Sequence, residues 1–422
     1  MKLIFHQKKD ASGTKELLAS YVVHCKKVIN DIDYRMPEAS LCLPSDKKIE
    51  TEVLNLVEKK ITTDLKYNIV IGIGGSNLGT KAVYDALFGS IDYITPDRYP
   101  KMVFLDTIDP KVNDAFLHFV DTHIKDASEF VISIISKSGT NTEPVVNAEV
   151  LLGHIKNRFS NWKDRCVIIT DIDSLMWKEG LRLGIDLLSI PKQVGGRYSV
   201  LSPVGLFPLA GANIDIKQLL RGAEEMRDLC VENSSENNAL NSSVSQFLSW
   251  KQGKSIHNSF YFHPELESLG KWYRQLMGES IGKEQKGITP IVSIGSVDHH
   301  SMVQLYWGGP TDKTTEIVYS QKSKDCIVPT EQLFPSLSET SGTNTSEIIT
   351  AIQKGTTSAY AKQSQPYFEV VFNEINEYEL GAYMQYKMIE ILYLAQLMHI
   401  NALDQPQVEL YKTETRKILA NK

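Results

Sequence analysis

The stretch Phe130-Val131-Ile132-Ser133-Ile134-Ile135-Ser136-Lys137-Ser138-Gly139-Thr140-Asn141-Thr142-Glu143-Pro144 decides the fold. It opens on an apolar run rich in β-branched residues, which predicts a strand buried on both faces. The run breaks into a hydroxyl-rich turn, and a helix follows. In a parallel sheet the carboxyl end of a strand faces the ligand crevice, and the next helix brings free N–H groups and its positive dipole end there. Ser136, Ser138, Thr140, Asn141 and Thr142 add donors, Lys137 adds a charge, and Gly139 lets the backbone come close. An ordinary capped helix start needs one such side chain. This concentration predicts a turn that holds a phosphate.

Working outward, the same alternation recurs. Apolar runs at 68–73, 102–105 and 166–170 alternate with helical patterns such as 80–87, as buried strands in βα units do. A segment rich in Gly, Pro and Ser, 188–205, separates two halves. The second half repeats the theme with a helix over 216–230, a strand over 259–262, a helix over 264–282 and a strand over 291–294. A strongly periodic helix over 377–400 and a last helix from 407 follow. Residues 1–50 read as a helical and irregular leader, amphipathic around 17–29. The expected fold is α/β: two halves of parallel sheet flanked by helices, with a helical carboxyl-terminal extension and a cleft between the halves.

Bulk properties exclude several classes. A chain of 422 residues with 42% hydrophobic and 23% charged residues is globular and long enough for two or three domains. Its net charge of −6, without a Lys/Arg cluster interleaved with aromatics, argues against nucleic acid or an anionic membrane as partner. The five cysteines are scattered, with no CxxC or Cys/His spacing, so reduced thiols are expected and neither a disulfide framework nor a zinc site. The amino-terminal apolar run is too short for a signal peptide, and no stretch reaches the ~18 apolar residues of a membrane span. A cytoplasmic location is expected.

Further segments carry chemistry. Gly72-Ile73-Gly74-Gly75-Ser76-Asn77-Leu78-Gly79 is a second glycine-rich strand–helix turn, but it fits neither GxGxxG nor GxxxxGK[ST]. Asp106 lies too far along to close a dinucleotide site, so no nucleotide is expected. Gly195-Gly196-Arg197 sets an arginine at the boundary between the halves, where a fixed charge could face a developing oxyanion. Taken alone, it reads better as a surface arginine. Trp272, Leu276 and Glu279 share one helix face, so Glu279 sits on the apolar stripe, in a last turn whose dipole disfavours negative charge. Such a carboxylate suits proton transfer; the alternative is a side chain at the stripe's edge turned to water. Gln275 is one turn earlier. In Asp298-His299-His300-Ser301, adjacent histidines do not converge on one metal, and one of them acting as an acid is the better reading. Lys412, on the last helix, is not singled out by the sequence alone.

GIGGSNLG, SKSGTNTEP, VGGRYSVLSPVG, ESLGKWYRQLMGESIGK, GSVDHHSMVQ and LDQPQVELYK follow one another from Gly72 to Lys412. In this order they resemble the phosphoglucose isomerase family, in its shorter bacterial form. The resemblance implies two sugar-isomerase (SIS) domains: a leader over 1–50, a first domain over 51–195 with the phosphate turn, a second over 196–400, and a helix over 401–422 completing the site. It implies interconversion of glucose 6-phosphate and fructose 6-phosphate through a cis-enediol, as in glycolysis and gluconeogenesis, with neither metal nor organic cofactor. Ser76, Ser136, Lys137, Ser138 and the turn that follows would hold the phosphate, and Glu279 would carry the proton between C2 and C1. Arg197 would stabilise the enediolate, His300 and Lys412 would open the ring, and Gln275 and Gln405 would position hydroxyls. The family's equivalent of His300 comes from the neighbouring subunit, so a homodimer is implied. Asn141 stands where many relatives carry a second threonine, which implies altered phosphate geometry or affinity. A non-catalytic sensor of sugar phosphates would share the turn but has no need of Glu279, Arg197, His300 and Lys412 together.

Overall fold

The computed structural model describes residues 1–6, 12–232 and 234–420. The strands among them form two five-stranded sheets. The amino-terminal strand, β1 (Lys2–Phe5), belongs to the second sheet. The first takes β2 (Tyr67–Ile71), β3 (Lys101–Leu105), β4 (Phe130–Ile135), β5 (Cys166–Thr170) and β6 (Asp186–Ser189), in the order β3-β2-β4-β5-β6 and all parallel. Strands β2, β4 and β5 are buried at every position, as their unbroken apolar runs require. The second sheet takes β7 (Ile256–Tyr261), β8 (Thr289–Ile294), β9 (Lys313–Lys322) and β10 (Tyr367–Glu374), in the order β1-β10-β9-β7-β8. These four are parallel, and β1 joins the β10 edge antiparallel.

The leader therefore differs from expectation: it begins with a strand. Pairing with β1 satisfies the edge of β10, which would otherwise present unpaired N–H and C=O groups. Residues 7–11 of the leader and 421–422 of the expected extension lie outside the described residues. The helix Pro203–Gly211 follows the boundary segment yet packs on the first half, where Asn68 donates to the Pro208 carbonyl at 2.7 Å. One apolar core runs through both halves, from Val70 and Val131 of the first sheet to Val318 and Val370 of the second. Of the five cysteines, four are buried free thiols and Cys326 is an exposed one.

Both sheets repeat one plan. The first strand of each half, β2 or β7, lies between the second and third, and the carboxyl ends of the first and third strands open on a crevice. The helix after β4, Thr142–Ile155, has no side-chain cap at Asn141. Its counterpart after β9, Thr345–Lys362, starts on Asp325, which accepts from the Ser346 N–H (3.0 Å), the Thr345 hydroxyl (3.1 Å) and the Cys326 N–H (3.0 Å).

The helix Glu377–Met398, expected to be periodic, is buried on nearly all sides. No polar face stands opposite an apolar one, contrary to the expected periodicity, because the helix's charges are themselves interior. Lys387 donates to Glu316 on β9 (2.6 Å) and to Glu390 (3.1 Å), while the Tyr273 and Tyr386 hydroxyls donate to Glu390 (2.6 and 2.8 Å). Burial alone would raise the Glu316 carboxyl, but the adjacent Lys387 ammonium and His257 hold it below the usual carboxylate range. This helix meets the helix Ile216–Cys230 through facing glycines. A Cβ at Gly381 would stand 1.9 Å from the Leu219 carbonyl oxygen, and one at Gly222 would stand 1.9 Å from that of Tyr378. Neither backbone can yield without parting the helices, so Gly381→Ala is expected to destabilise the fold by about 1–3 kcal/mol or more. Urea unfolding with an unchanged midpoint would contradict this packing.

Candidate active site

At the carboxyl end of β4 the chain leaves the sheet through Ser136, which is fully buried. Its hydroxyl oxygen has no hydrogen-bond partner among the described residues. Gly139 turns with φ of +68°, Ser138 and Thr140 share a hydrogen bond of 2.9 Å, and the uncapped helix Thr142–Ile155 begins. Leading helical N–H groups, hydroxyl donors and an orphaned buried oxygen thus meet at one place, as an anion site requires. Lys137 is half-buried, and burial pushes its ammonium below the usual lysine range. Asp171, at the end of β5, counters that shift, and nearby Arg197 adds to it.

The second glycine turn, Gly74–Ser76, follows β2 and closes on the turn Gly196–Tyr198. A Cβ at Gly75 would fall 2.1 Å from the Gly196 carbonyl carbon, so the two turns touch backbone to backbone. The Ser199 hydroxyl donates to the Gly75 carbonyl at 3.3 Å. A Cβ at Gly74 would stand 2.9 Å from the Gln275 side-chain nitrogen. Ser76, Arg197 and Gln275 are brought to one cleft because no side chain separates these segments.

Arg197 is 2% exposed and ends in a complete set of acceptors. Its Nε donates to the Ser280 hydroxyl (2.8 Å), and one terminal nitrogen donates to Glu279 (3.3 Å) and to the Gln405 carbonyl oxygen (2.8 Å). The other terminal nitrogen donates to the backbone carbonyls of Ala402 and Asp404. Tyr198 shares a hydrogen bond of 2.9 Å with Ser280 and is itself fully buried.

Glu279 rides the helix Glu267–Ile281, whose Trp272 and Leu276 are buried as the apolar stripe predicts. Its own side chain is 30% exposed, open to the cleft and not turned fully to water. Arg197 holds one carboxylate oxygen, and the Gln275 amide donates to the other at 2.9 Å. The Gln275 carbonyl oxygen is buried and unpartnered among the described residues, a second unmet acceptor in the same cleft. A carboxylate fixed in direction by two donors, with further lone pairs open, can take and return a proton.

Lys412 and Asn141 line one cavity of about 140 Å³, between the turn after β4 and the helix Val408–Ala420, with Thr140, Thr142 and Arg416 also on its wall. Lys412 pairs with Glu409 at 2.9 Å. His300 stands apart. It follows the carboxyl end of β8, is exposed, and its ring has no hydrogen-bond partner among the described residues. Its neighbour His299 is half-buried, bonds the Thr356 hydroxyl at 2.6 Å, and burial lowers its imidazole below the usual histidine range.

The geometry adds Ser280, Lys283, Asp171 and Arg416 to the residues that sequence reasoning singled out. Ser280 and Lys283 flank Glu279 within one quoted motif, which was their available signal. Among the described residues no group of three or more His, Cys, Asp or Glu side chains could hold a metal ion. Among them, too, no helix is long and apolar enough to cross a membrane.

The sequence profile described as phosphoglucose isomerase matches residues 26–422. The glucose-6-phosphate isomerase of Methanocaldococcus jannaschii is 36% identical over 357 residues, which cover 84% of each chain. That of Carboxydothermus hydrogenoformans is 32% identical over 97% of this chain and 90% of its own. The crystal structure of a hypothetical protein from Thermus thermophilus superposes with a TM-score of 0.88 at 28% identity, covering 99% of both chains. A glucose-6-phosphate isomerase from Chlamydia trachomatis shares the fold, with a TM-score of 0.73 at 22% identity over 88% of this chain and 73% of that one.

Arg197→Lys keeps the charge but loses the planar fork. It is expected to cost about 2–4 kcal/mol of stability, a few hydrogen bonds at roughly 1 kcal/mol each. Chemical denaturation reads this out, and an unshifted curve would show that the fork does not hold the site together.

Proposed function

Because the chain belongs to the phosphoglucose isomerase family, we propose that it interconverts glucose 6-phosphate and fructose 6-phosphate through the cleft around Glu279. The observation that carries this reading is the fixed carboxylate of Glu279, held by Arg197 and Gln275 beside an anion-ready turn. The 6-phosphate is held by Ser76, Ser136, Lys137, Ser138 and the leading N–H groups after Asn141. A phosphate held at that turn extends the sugar toward Glu279, and remote binding energy of this kind fixes the reacting carbons.

In the open-chain aldose the Glu279 carboxylate takes the proton from C2. The C–H electron pair becomes the C1–C2 double bond, and the C1 oxygen takes up the negative charge. Arg197 stabilises that oxygen, and a fixed guanidinium does so without reorganising at the moment of reaction. The hydroxyl proton passes from O2 to O1, and Glu279 returns its proton to C1 to give the ketose. Gln275 and Gln405 orient hydroxyls. Lys412 and His300 of the partner subunit assist ring opening; the exposure of His300 away from its own cleft supports a homodimer that shares it. A cytoplasmic setting in glycolysis and gluconeogenesis fits this chemistry.

Purified protein, with no metal or nucleotide added, is expected to form fructose 6-phosphate from glucose 6-phosphate. Glu279→Gln should lower kcat roughly a hundredfold to ten-thousandfold, the usual worth of a general base, with sugar-phosphate binding kept. Retained turnover in that variant would remove Glu279 from the role.

Lys137 makes a second demand. Its ammonium lies below the usual lysine range through burial, with Arg197 adding and Asp171 opposing, so its charge is lost earlier than usual as pH rises. KM for the sugar phosphate should therefore climb on the alkaline side, and that limb should vanish in Lys137→Met. A variant with the wild-type alkaline limb would refute the contact.

A further inference from the structure

The helix Val408–Ala420 has no buried residue among those described. A short helix gains most of its stability from packing an apolar face, so apolar packing does not decide where this one sits. What precedes it does. Of residues 401–407 only Ala402 is buried, yet a buried arginine and a half-buried lysine converge on the segment.

Arg197 takes the Ala402 and Asp404 carbonyls and the Gln405 side chain. Lys283 takes the rest. It stands four residues beyond Glu279, its side chain is 8% exposed, and it donates to the Asn401 carbonyl and pairs with the Asp404 carboxylate at 2.8 Å. Asp404 is thus gripped at both ends, its backbone by Arg197 and its side chain by Lys283. Burial pushes the Lys283 ammonium below the usual lysine range, Asp404 opposes this, and Arg197 adds to it. The two like charges are tolerated so close together because acceptors of one segment lie between them.

We propose that Lys283 is a positioning residue that forms, with Arg197, a two-cation clamp on residues 401–405. The clamp sets Gln405 beside Glu279, both on the same Arg197 nitrogen, and carries Lys412 to the phosphate turn. Its kinetic consequence rests on the isomerase reading; its structural consequence does not.

Amide exchange without substrate, on the full chain, separates the two. In Lys283→Met exchange should quicken across 401–420 and stay unchanged on the helix Glu267–Ile281 and in both sheets. With glucose 6-phosphate, kcat should fall by up to about a hundredfold, the effect of a misplacement near 1 Å, while KM changes less. Lys283→Arg should recover most of the rate. Asp404→Asn should show part of the defect, and the double variant should be no worse than Lys283→Met alone, in which the Asp404 contact is already lost. Wild-type exchange at 401–420 in Lys283→Met, or losses that multiply in the double variant, would overturn the clamp. If Lys283→Met does not fold, Asp404→Asn and Lys283→Arg carry the same comparison. A wild-type protein without isomerase activity but with the exchange pattern intact would sink the functional reading and leave the clamp standing.

Discussion

A guanidinium taken out of water must find acceptors for its donors, and Arg197 finds them on two stretches of chain far from it in sequence. Ser280 and Glu279 lie on one helix, Gln405 and two carbonyls lie in the approach to the last helix, and the arginine itself follows a glycine pair. None of these segments can shift without leaving a buried donor unmet. The touching turns at Gly75 and Gly196 impose the same condition sterically, since no side chain fits between them. Preorganisation here is therefore a by-product of burial. The arrangement that would stabilise a developing charge is the one that keeps Arg197 from being an unpaired ion.

Most of the first half is legible in the sequence because β2 to β5 are apolar runs, whereas β6, with only two apolar residues, merges with the boundary segment. β4 and its turn could be read residue by residue, and Glu279 stood out through its place on the Trp272–Leu276 stripe. Strands β9 and β10 were missed for a physical reason. Glu316 and Glu369 sit in their middles and are buried, so each strand looks half polar. Glu316 is tolerated by Lys387, 71 positions away, and by His257 from β7. Local patterns cannot show a partner at that distance. The same pairing made the helix Glu377–Met398 look two-sided when it is central. Ser280 and Lys283 escaped notice likewise, because their partners, Tyr198 with Arg197 and Asn401 with Asp404, come from elsewhere in the chain.

Labour is divided between the halves. The first supplies the anion-ready turn and the second supplies the fixed Glu279 carboxylate; the boundary segment and the last helix join them. Nothing in either half alone places Glu279, Arg197 and the turn after β4 within one cleft.

One strand order recurs in both sheets, yet the helix starts that follow β4 and β9 differ. The difference lies at Asp325. Its carboxylate already takes the Ser346 N–H at the start of the helix after β9 and the Cys326 N–H of the preceding loop, donors that an anion would need in the repeated crevice. That half carries its own permanent tenant, covalently attached and always present at its address. The chain thus carries two copies of one strand order with only one of the two helix starts left open to an anion, and the ends of the second sheet's strands are left to offer groups such as His300 outward.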